Sequence, residues 1–202
     1  MGPEHASALA AGPLTLRRLV LSEGELGAAG AQALRSAPWW SKLEALELPP
    51  FSKIGDAGVA SMTRAIDAPR HLELRHQDLG EVTAGALATA ELASLEHLDL
   101  SYNPIADGDL ARMLRNPTLQ RLRYLSLLGT GANEETAAAL AEGTFSELEV
   151  LELGDRTSDM AVSTLRHAVL PKLRRMQLRG ASTAAIAPLQ REGVFVTNAM
   201  FA

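Results

Sequence analysis

The stretch LEHLDLSYNPIADGDLARML, residues 95–114, holds one complete structural unit. Leu98 and Leu100 alternate with His97, Asp99 and Ser101, the period-two signature of a short strand that buries one face. Asn103-Pro104 ends the strand, because Pro104 has no N–H to donate and an Asn-Pro pair favours a turn. Asp107 is expected to cap a helix in which Leu110, Met113 and Leu114 fall at i, i+3 and i+4. Asn116-Pro117 closes that helix. Leu119 then re-enters the core three residues before Leu122.

Outward from this unit the same ladder recurs along the chain. Its members are Leu16/Leu19/Leu21, Leu43/Leu46/Leu48, Pro69/Leu72/Leu74, Leu95/Leu98/Leu100, Leu122/Leu125/Leu127, Leu148/Leu151/Leu153 and Leu173/Met176/Leu178. Successive last members lie 27, 26, 26, 27, 26 and 25 residues apart. A period in that range means stacked supersecondary units, none of which can bury its apolar face alone. The helix slot holds Leu34, Met62, Leu87, Leu114, Leu140, Leu165 and Leu189. The slot before each ladder holds Trp40, Ile66, Leu92, Leu119, Phe145 and Leu170. Gly30, Gly58, Gly85 and Gly108 recur near helix entry, as close strand-to-helix packing requires. Each unit is thus a strand plus a short helix, and parallel strands joined through helices bury the ladder side chains.

Composition narrows the function classes. The 202 residues are 47% hydrophobic, which argues for a folded chain. No linker or charge block interrupts the period, so one solenoid is expected in place of two domains. A net charge of −5 and a pI near 5.6 argue against a phosphate-gripping surface, so nucleic acid is not an expected partner. No apolar run approaches the roughly 18 residues of a spanning helix, and no positive segment precedes an apolar one at the N-terminus. No membrane association or signal peptide is therefore expected. The absence of cysteine fits a reducing compartment, and the cytoplasm is the expected location.

The units resemble leucine-rich repeats, specifically the ribonuclease-inhibitor-like subclass, whose pattern is LxxLxLxxNxLxxxGxxxLxxxL. Residues 95–114 match it best, and LRRLVLSEGELGAAGAQAL at 16–34 matches well. The Ala-, Leu- and Arg-heavy usage has the look of a high-GC bacterial coding sequence. The resemblance implies an α/β leucine-rich-repeat solenoid, with a curved parallel sheet on the concave face and short helices on the convex face. About seven repeats and a partial terminal one make a single domain over 1–202. Residues 1–13 form a partial helical cap, 14–190 the repeats, and 191–202 a cap in which Val194-Phe195-Val196 covers the last edge. The N-terminal cap so read is thin, as for a piece of a longer protein. Only Asn103 fills the asparagine position of the pattern; elsewhere it holds Gly24, Phe51, Gln77, Thr130, Arg156 and Ala181. The turns are therefore expected to be looser or differently satisfied than in a continuous asparagine ladder.

Function is expected on the outward positions of the sheet, where strands about 4.8 Å apart present regular columns. One column reads Val20, Glu47, Glu73, Asp99, Ser126, Glu152 and Gln177; its neighbour reads Arg18, Ala45, His71, His97, Tyr124, Val150 and Arg175. At the loop rim stand Glu23, Pro50, His76, Tyr102, Gly129, Asp155 and Gly180. The partner-binding set is Glu47, Glu73, Asp99, Glu152, His71, His97, Arg75, Tyr102 and Tyr124. Read functionally, it is an acidic stripe for a basic protein partner with tyrosine anchors at its margin. Read structurally, it is a polar face offset by His71, His97 and Arg75. His71, Glu73, His97 and Asp99 are the ligand types of a zinc site, but a flat sheet spreads side chains in parallel. A salt-bridged column is expected there, with no metal ligand and no cofactor assigned. Trp40 is expected in the core, and Trp39 on the rim or convex side.

No nucleophile elbow, phosphate-cradling loop or HExxH motif is present. The expectation is a non-enzymatic protein-interaction module, an adaptor or inhibitor. The alternatives are a regulatory module like the GTPase activators of the same subclass, a weak metal-dependent hydrolase using His71 and His97, and a structural segment of a larger assembly.

Overall fold

The computed structural model describes residues 2–190 and 194–197. Eight three-residue strands form one parallel sheet in sequence order: β1 Arg18–Val20, β2 Ala45–Glu47, β3 His71–Glu73, β4 His97–Asp99, β5 Tyr124–Ser126, β6 Val150–Glu152, β7 Arg175–Gln177 and β8 Phe195–Thr197. Helices alternate with them: α1 Pro3–Ala11, α2 Gly27–Arg35, α3 Asp56–Arg64, α4 Glu81–Thr89, α5 Asp107–Leu114, α6 Glu134–Glu142, α7 Asp159–Leu165 and α8 Thr183–Ile186. Each helix packs on the next, α1 on α2 included. β8 pairs with β7 and covers the last edge; residues 191–193 and 198–202 of the expected C-terminal cap lie outside the described residues.

The register is uniform. Leu19, Leu46, Leu72, Leu98, Leu125, Leu151 and Met176 are partners across successive strands, and all are buried. Burying one such side chain is worth about 1.5–3 kcal/mol. Pro69 is also buried and keeps its ladder place without a leucine. Trp40 lies in the core and donates its Nε1 hydrogen to Met62 O at 3.1 Å.

Trp39 departs from expectation. It is buried beside Trp40, with ring centroids 6.0 Å apart, because the 3-10 turn that follows folds it inward. Gly30 and Gly58 are held small by packing, since an added Cβ would approach Leu26 and Ile54 side chains within 2.7 and 2.5 Å. At Gly85 and Gly108 it would meet only the ends of Arg112 and Glu135, at 3.5 and 3.3 Å, so tight packing does not explain those two.

The turns are differently satisfied. Asn103 is buried; its Oδ1 accepts from the Gln77 and Leu79 N–H groups, and its Nδ2 donates to Leu74, Leu100 and Ser101 carbonyls. Gln77 donates to Pro49 O at 2.6 Å and pairs with the buried Ser52 hydroxyl. Ser52, one residue beyond Phe51, therefore fills the inner position in the second repeat. Thr157 does so in place of Arg156, donating to Gly154 O at 3.0 Å.

Asp107 is the first residue of α5 and does not cap it; Ala106 is the N-cap. Its carboxylate instead accepts from Asn133, Glu135 and Thr136 N–H at 2.8, 2.9 and 2.9 Å, capping α6 of the next repeat. Asp56 does the same for α4 through Val82 and Thr83. A helix start leaves orphan N–H groups, and here the preceding repeat supplies their acceptor. The solenoid is thus stitched from unit to unit.

Candidate functional site

The strand register sets out the outward columns. His71 sits beside His97 and His97 beside Tyr124; Glu47, Glu73, Asp99, Ser126, Glu152 and Gln177 follow one another in the next column. Parallel strands with no side-chain crossing bring like types together. The His71 and His97 rings stack with centroids 3.9 Å apart and planes 10° from parallel, and His97 stacks on Tyr124 at 4.2 Å and 3°. Burial drives the His97 pKa down to about 4; the nearby His71 adds to this, and Asp99 and Glu47 oppose it. The His97 imidazole is accordingly neutral at physiological pH. Burial also raises the Tyr124 phenol above its ordinary value, reinforced by the Glu152 and Asp99 charges.

The acidic column is met by the chain's own cations. Arg18 hydrogen-bonds Glu47. Arg75 lies 3.6 Å from Glu73 and 3.8 Å from Asp99, whose Oδ1 accepts the Ser101 N–H at 2.8 Å. Glu152 accepts from Tyr124 Oη at 3.0 Å and pairs with Arg175 at 3.2 Å. Asp99 and Glu152 are buried. The stripe therefore carries little unbalanced charge, and like-charge repulsion down the column is relieved locally.

A second ladder runs along the loop rim. Phe51 packs against His76 with centroids 4.9 Å apart and planes tilted by 41°, and His76 stacks on Tyr102 at 4.5 Å with planes 1° apart. Phe51, not Pro50, is the rung beside His76, because the loop after β2 carries an extra residue; the Phe51 N–H donates to His76 O at 2.8 Å. Leu48 and Ile54 are six positions apart, whereas Leu74 to Leu79 and Leu100 to Ile105 are five, and that difference is the sequence signal for the shift.

All three rungs have left-handed backbone, with φ of 57°, 52° and 57°. Lys53 and Asp78 share it, and these five are the non-glycine residues with positive φ among the described residues. Gly129 and Gly180 take the turns of later repeats. Holding an L-residue there costs about 1 kcal/mol each. Phe51, Lys53, His76, Asp78, Tyr102 and Pro104 line an open groove of about 460 Å³. Phe51 is 67% exposed. Tyr102 is buttressed by Arg179, which also pairs with Asp155 at 3.1 Å.

The two aromatic ladders and the acidic column thus lie on adjoining lines of one surface. Of the expected set, His71, Glu73, His97, Asp99 and Arg75 form one patch with Glu47 at its edge. Tyr124 and Glu152 form a bonded pair next to it, and Tyr102 belongs to the rim.

Repeating strand–helix units, a single-file parallel sheet and an inward leucine ladder define a leucine-rich-repeat solenoid. Residues 91–112 match the family described as Leucine Rich repeat. In three dimensions the chain is similar to one in the crystal structure of the yeast Rad7–Elc1 complex, with a TM-score of 0.62 and 14% identity over 98% of this chain and 65% of that one. It is also similar to internalin C2 of Listeria monocytogenes, with a TM-score of 0.54 and 20% identity over 91% of this chain and 80% of that one. At such identities the likeness is one of fold, and the chain spans 65% of the length of the first relative. No curated protein matches the chain in sequence. Among the described residues, no helix is long and apolar enough to cross a membrane.

Proposed function

We propose that the chain is a non-enzymatic interaction module, an adaptor or inhibitor of the ribonuclease-inhibitor-like subclass, that holds a protein partner against its concave sheet and the adjoining rim. The observation that carries this reading is the rim ladder. Three aromatic side chains occupy left-handed turns where the turns after β5 and β7 use glycine, and one of them is largely exposed. Strain kept at an exposed site is characteristic of surfaces selected for contact. Aromatic residues are also the commonest anchors of interfaces. His71, His97 and Tyr124 extend the aromatic surface onto the sheet. Glu47, Glu73, Asp99, Glu152 and Arg75 supply polar contacts between the two ladders. Because the acids already have cationic neighbours, they orient a partner, basic or not, more than they attract it.

The test is affinity capture from the source lysate with quantitative mass spectrometry. Phe51→Gly/Tyr102→Gly should lower retention of the specific partner at least about tenfold. Glu47→Gln/Glu73→Gln should have the smaller effect. Unchanged capture by the rim variant would sink the reading. Loss confined to the acid variant would move the energetic centre to the acidic column and a basic partner.

A further inference from the structure

The ion pairs among the described residues divide sharply by length. Eleven close to 3.2 Å or less. The other four, at 3.6 to 3.8 Å, all lie in the patch formed by β2, β3 and β4 with Arg75. His71 Nε2 stands 3.7 Å from Glu47 Oε1 and 3.7 Å from Glu73 Oε2, and it is buried without a hydrogen-bond partner. Arg75 Nε and Ser101 Oγ, in the same patch, are in the same condition. Donor atoms of His71, Glu73 and His97 lie within 4.8 Å of one another.

These separations are too long for hydrogen bonds, which close to about 2.7–3.2 Å. Two groups bridged by a water with bonds of about 2.8 Å sit roughly 4.5 Å apart. Two donors on a tetrahedral ion with bonds of about 2.0–2.1 Å sit roughly 3.4 Å apart. The 3.7 Å gaps around His71 Nε2 lie nearest the last value.

We propose that His71, Glu73 and His97 bind a zinc ion on the concave face, with Glu47 as the adjacent carboxylate. Two imidazoles and a carboxylate suit a borderline divalent ion, whereas magnesium prefers oxygen alone and gives up its water reluctantly. The neighbouring charges permit it: the three carboxylates of Glu47, Glu73 and Asp99 outnumber the two guanidiniums of Arg18 and Arg75, which leaves one negative charge for the ion to meet. One ion cannot lie in the planes of two parallel rings 3.9 Å apart. Binding must therefore turn one imidazole out of the His71–His97–Tyr124 stack, and the ion would tie β3 to β4 through side chains.

The experiment is a calorimetric titration of zinc chloride into tag-free, chelator-stripped protein, paired with NMR of the histidine and tyrosine ring protons. One equivalent should bind saturably, shifting His71, His97 and Tyr124 ring signals as the stack opens; a tenfold excess of magnesium should not compete. His71→Gln/His97→Gln should abolish that binding. Glu73→Gln should weaken it more than about tenfold. His167→Gln, an exposed histidine outside the patch, should bind as wild type. Absence of a one-equivalent site, ring signals unmoved by zinc, or equal binding by the double variant would overturn the proposal. The ring signals are read on the wild type, so the proposal stays falsifiable even if a variant fails to fold. No protein partner enters the titration, so its failure and that of the interaction reading remain separate.

Discussion

The turns after β2, β3 and β4 leave the same sheet as those after β5, β6 and β7, yet they are built differently. The first group holds Phe51, His76 and Tyr102 in left-handed backbone, and its polar side chains bond across repeats. In the second, Gly129 and Gly180 adopt the positive φ, and Thr130 and Thr157 bond to carbonyls of their own turns. The loosely closed ion pairs fall in the first region, whereas Glu152–Arg175 and Asp155–Arg179 close to 3.2 and 3.1 Å in the second. One backbone plan thus serves two ends. The later repeats take the least costly solution to each turn. The earlier ones carry strain and offset it with inter-repeat hydrogen bonds, the difference expected if the first surface is kept for contact and the second for stability.

The largest test of that contrast is Asn103→Ala against Thr130→Val. Asn103 satisfies the Gln77 and Leu79 N–H groups and carbonyls of two repeats, all in the interior. Losing it should cost about 2–4 kcal/mol, since several buried groups are orphaned together. Thr130 serves only Leu127 O and the Ala132 N–H, so its loss should cost about 1 kcal/mol. Urea denaturation measures both. Equal losses would mean that the two turn types are energetically alike.

A smaller effect probes the helix side, where the two regions are stitched together. Asp107, from α5, caps α6 of the next repeat, so Asp107→Asn should destabilise by about 1 kcal/mol at neutral pH. Burial would raise the Asp107 pKa, but hydrogen bonds from Thr136, Asn133 and Glu135 outweigh it and hold the carboxyl below its ordinary 3.8. A depressed folded-state pKa stabilises fully above the unfolded value and loses that stabilisation as pH falls through the folded one. The gap between wild type and variant should therefore persist down to about pH 4 and close at lower pH. A gap independent of pH in thermal melts would show that the carboxylate's charge is not what caps α6.

Much of this was legible from the chain because leucine spacing is a global constraint. The ladder gave the sheet order, and with it the columns that place His71 beside His97 and Glu73 beside Asp99. Other features have no local signal. The donors that Asp107 caps lie 26 to 29 residues away, so a local capping rule assigns it to its own helix. Trp39 is turned inward by a 3-10 turn that apolar periodicity does not register. The columns lead to a salt-bridged patch; His71 stands 3.7 Å from Glu47 and Glu73, but the two imidazoles stack on each other, a choice of rotamer that column order does not fix. A single inserted residue puts Phe51 on the rung where residue counting places Pro50, although the six-residue gap from Leu48 to Ile54 marks the shift.

The variant with the smallest expected effect, Phe51→Gly, gives the sharpest test, because its counterpart in the other region should answer with the opposite sign. Phe51→Gly removes a side chain that is 67% exposed and buries little, and glycine tolerates the φ of 57° without steric cost. The relief, about 1 kcal/mol, is partly offset by the larger entropy of glycine in the unfolded chain. The variant should therefore unfold at or slightly above the wild-type midpoint. Gly129→Ala makes the reverse change at a φ of 63°, and its Cβ would approach the Tyr102 ring to 2.6 Å. It should lose about 1–2 kcal/mol and disturb the rim ladder from below. Thermal melts of both variants, run beside partner capture, then separate strain from contact. Phe51→Gly should keep its fold while losing retention. If it loses stability instead, Phe51 is a packing residue, and the rim ladder ceases to be evidence for a binding surface.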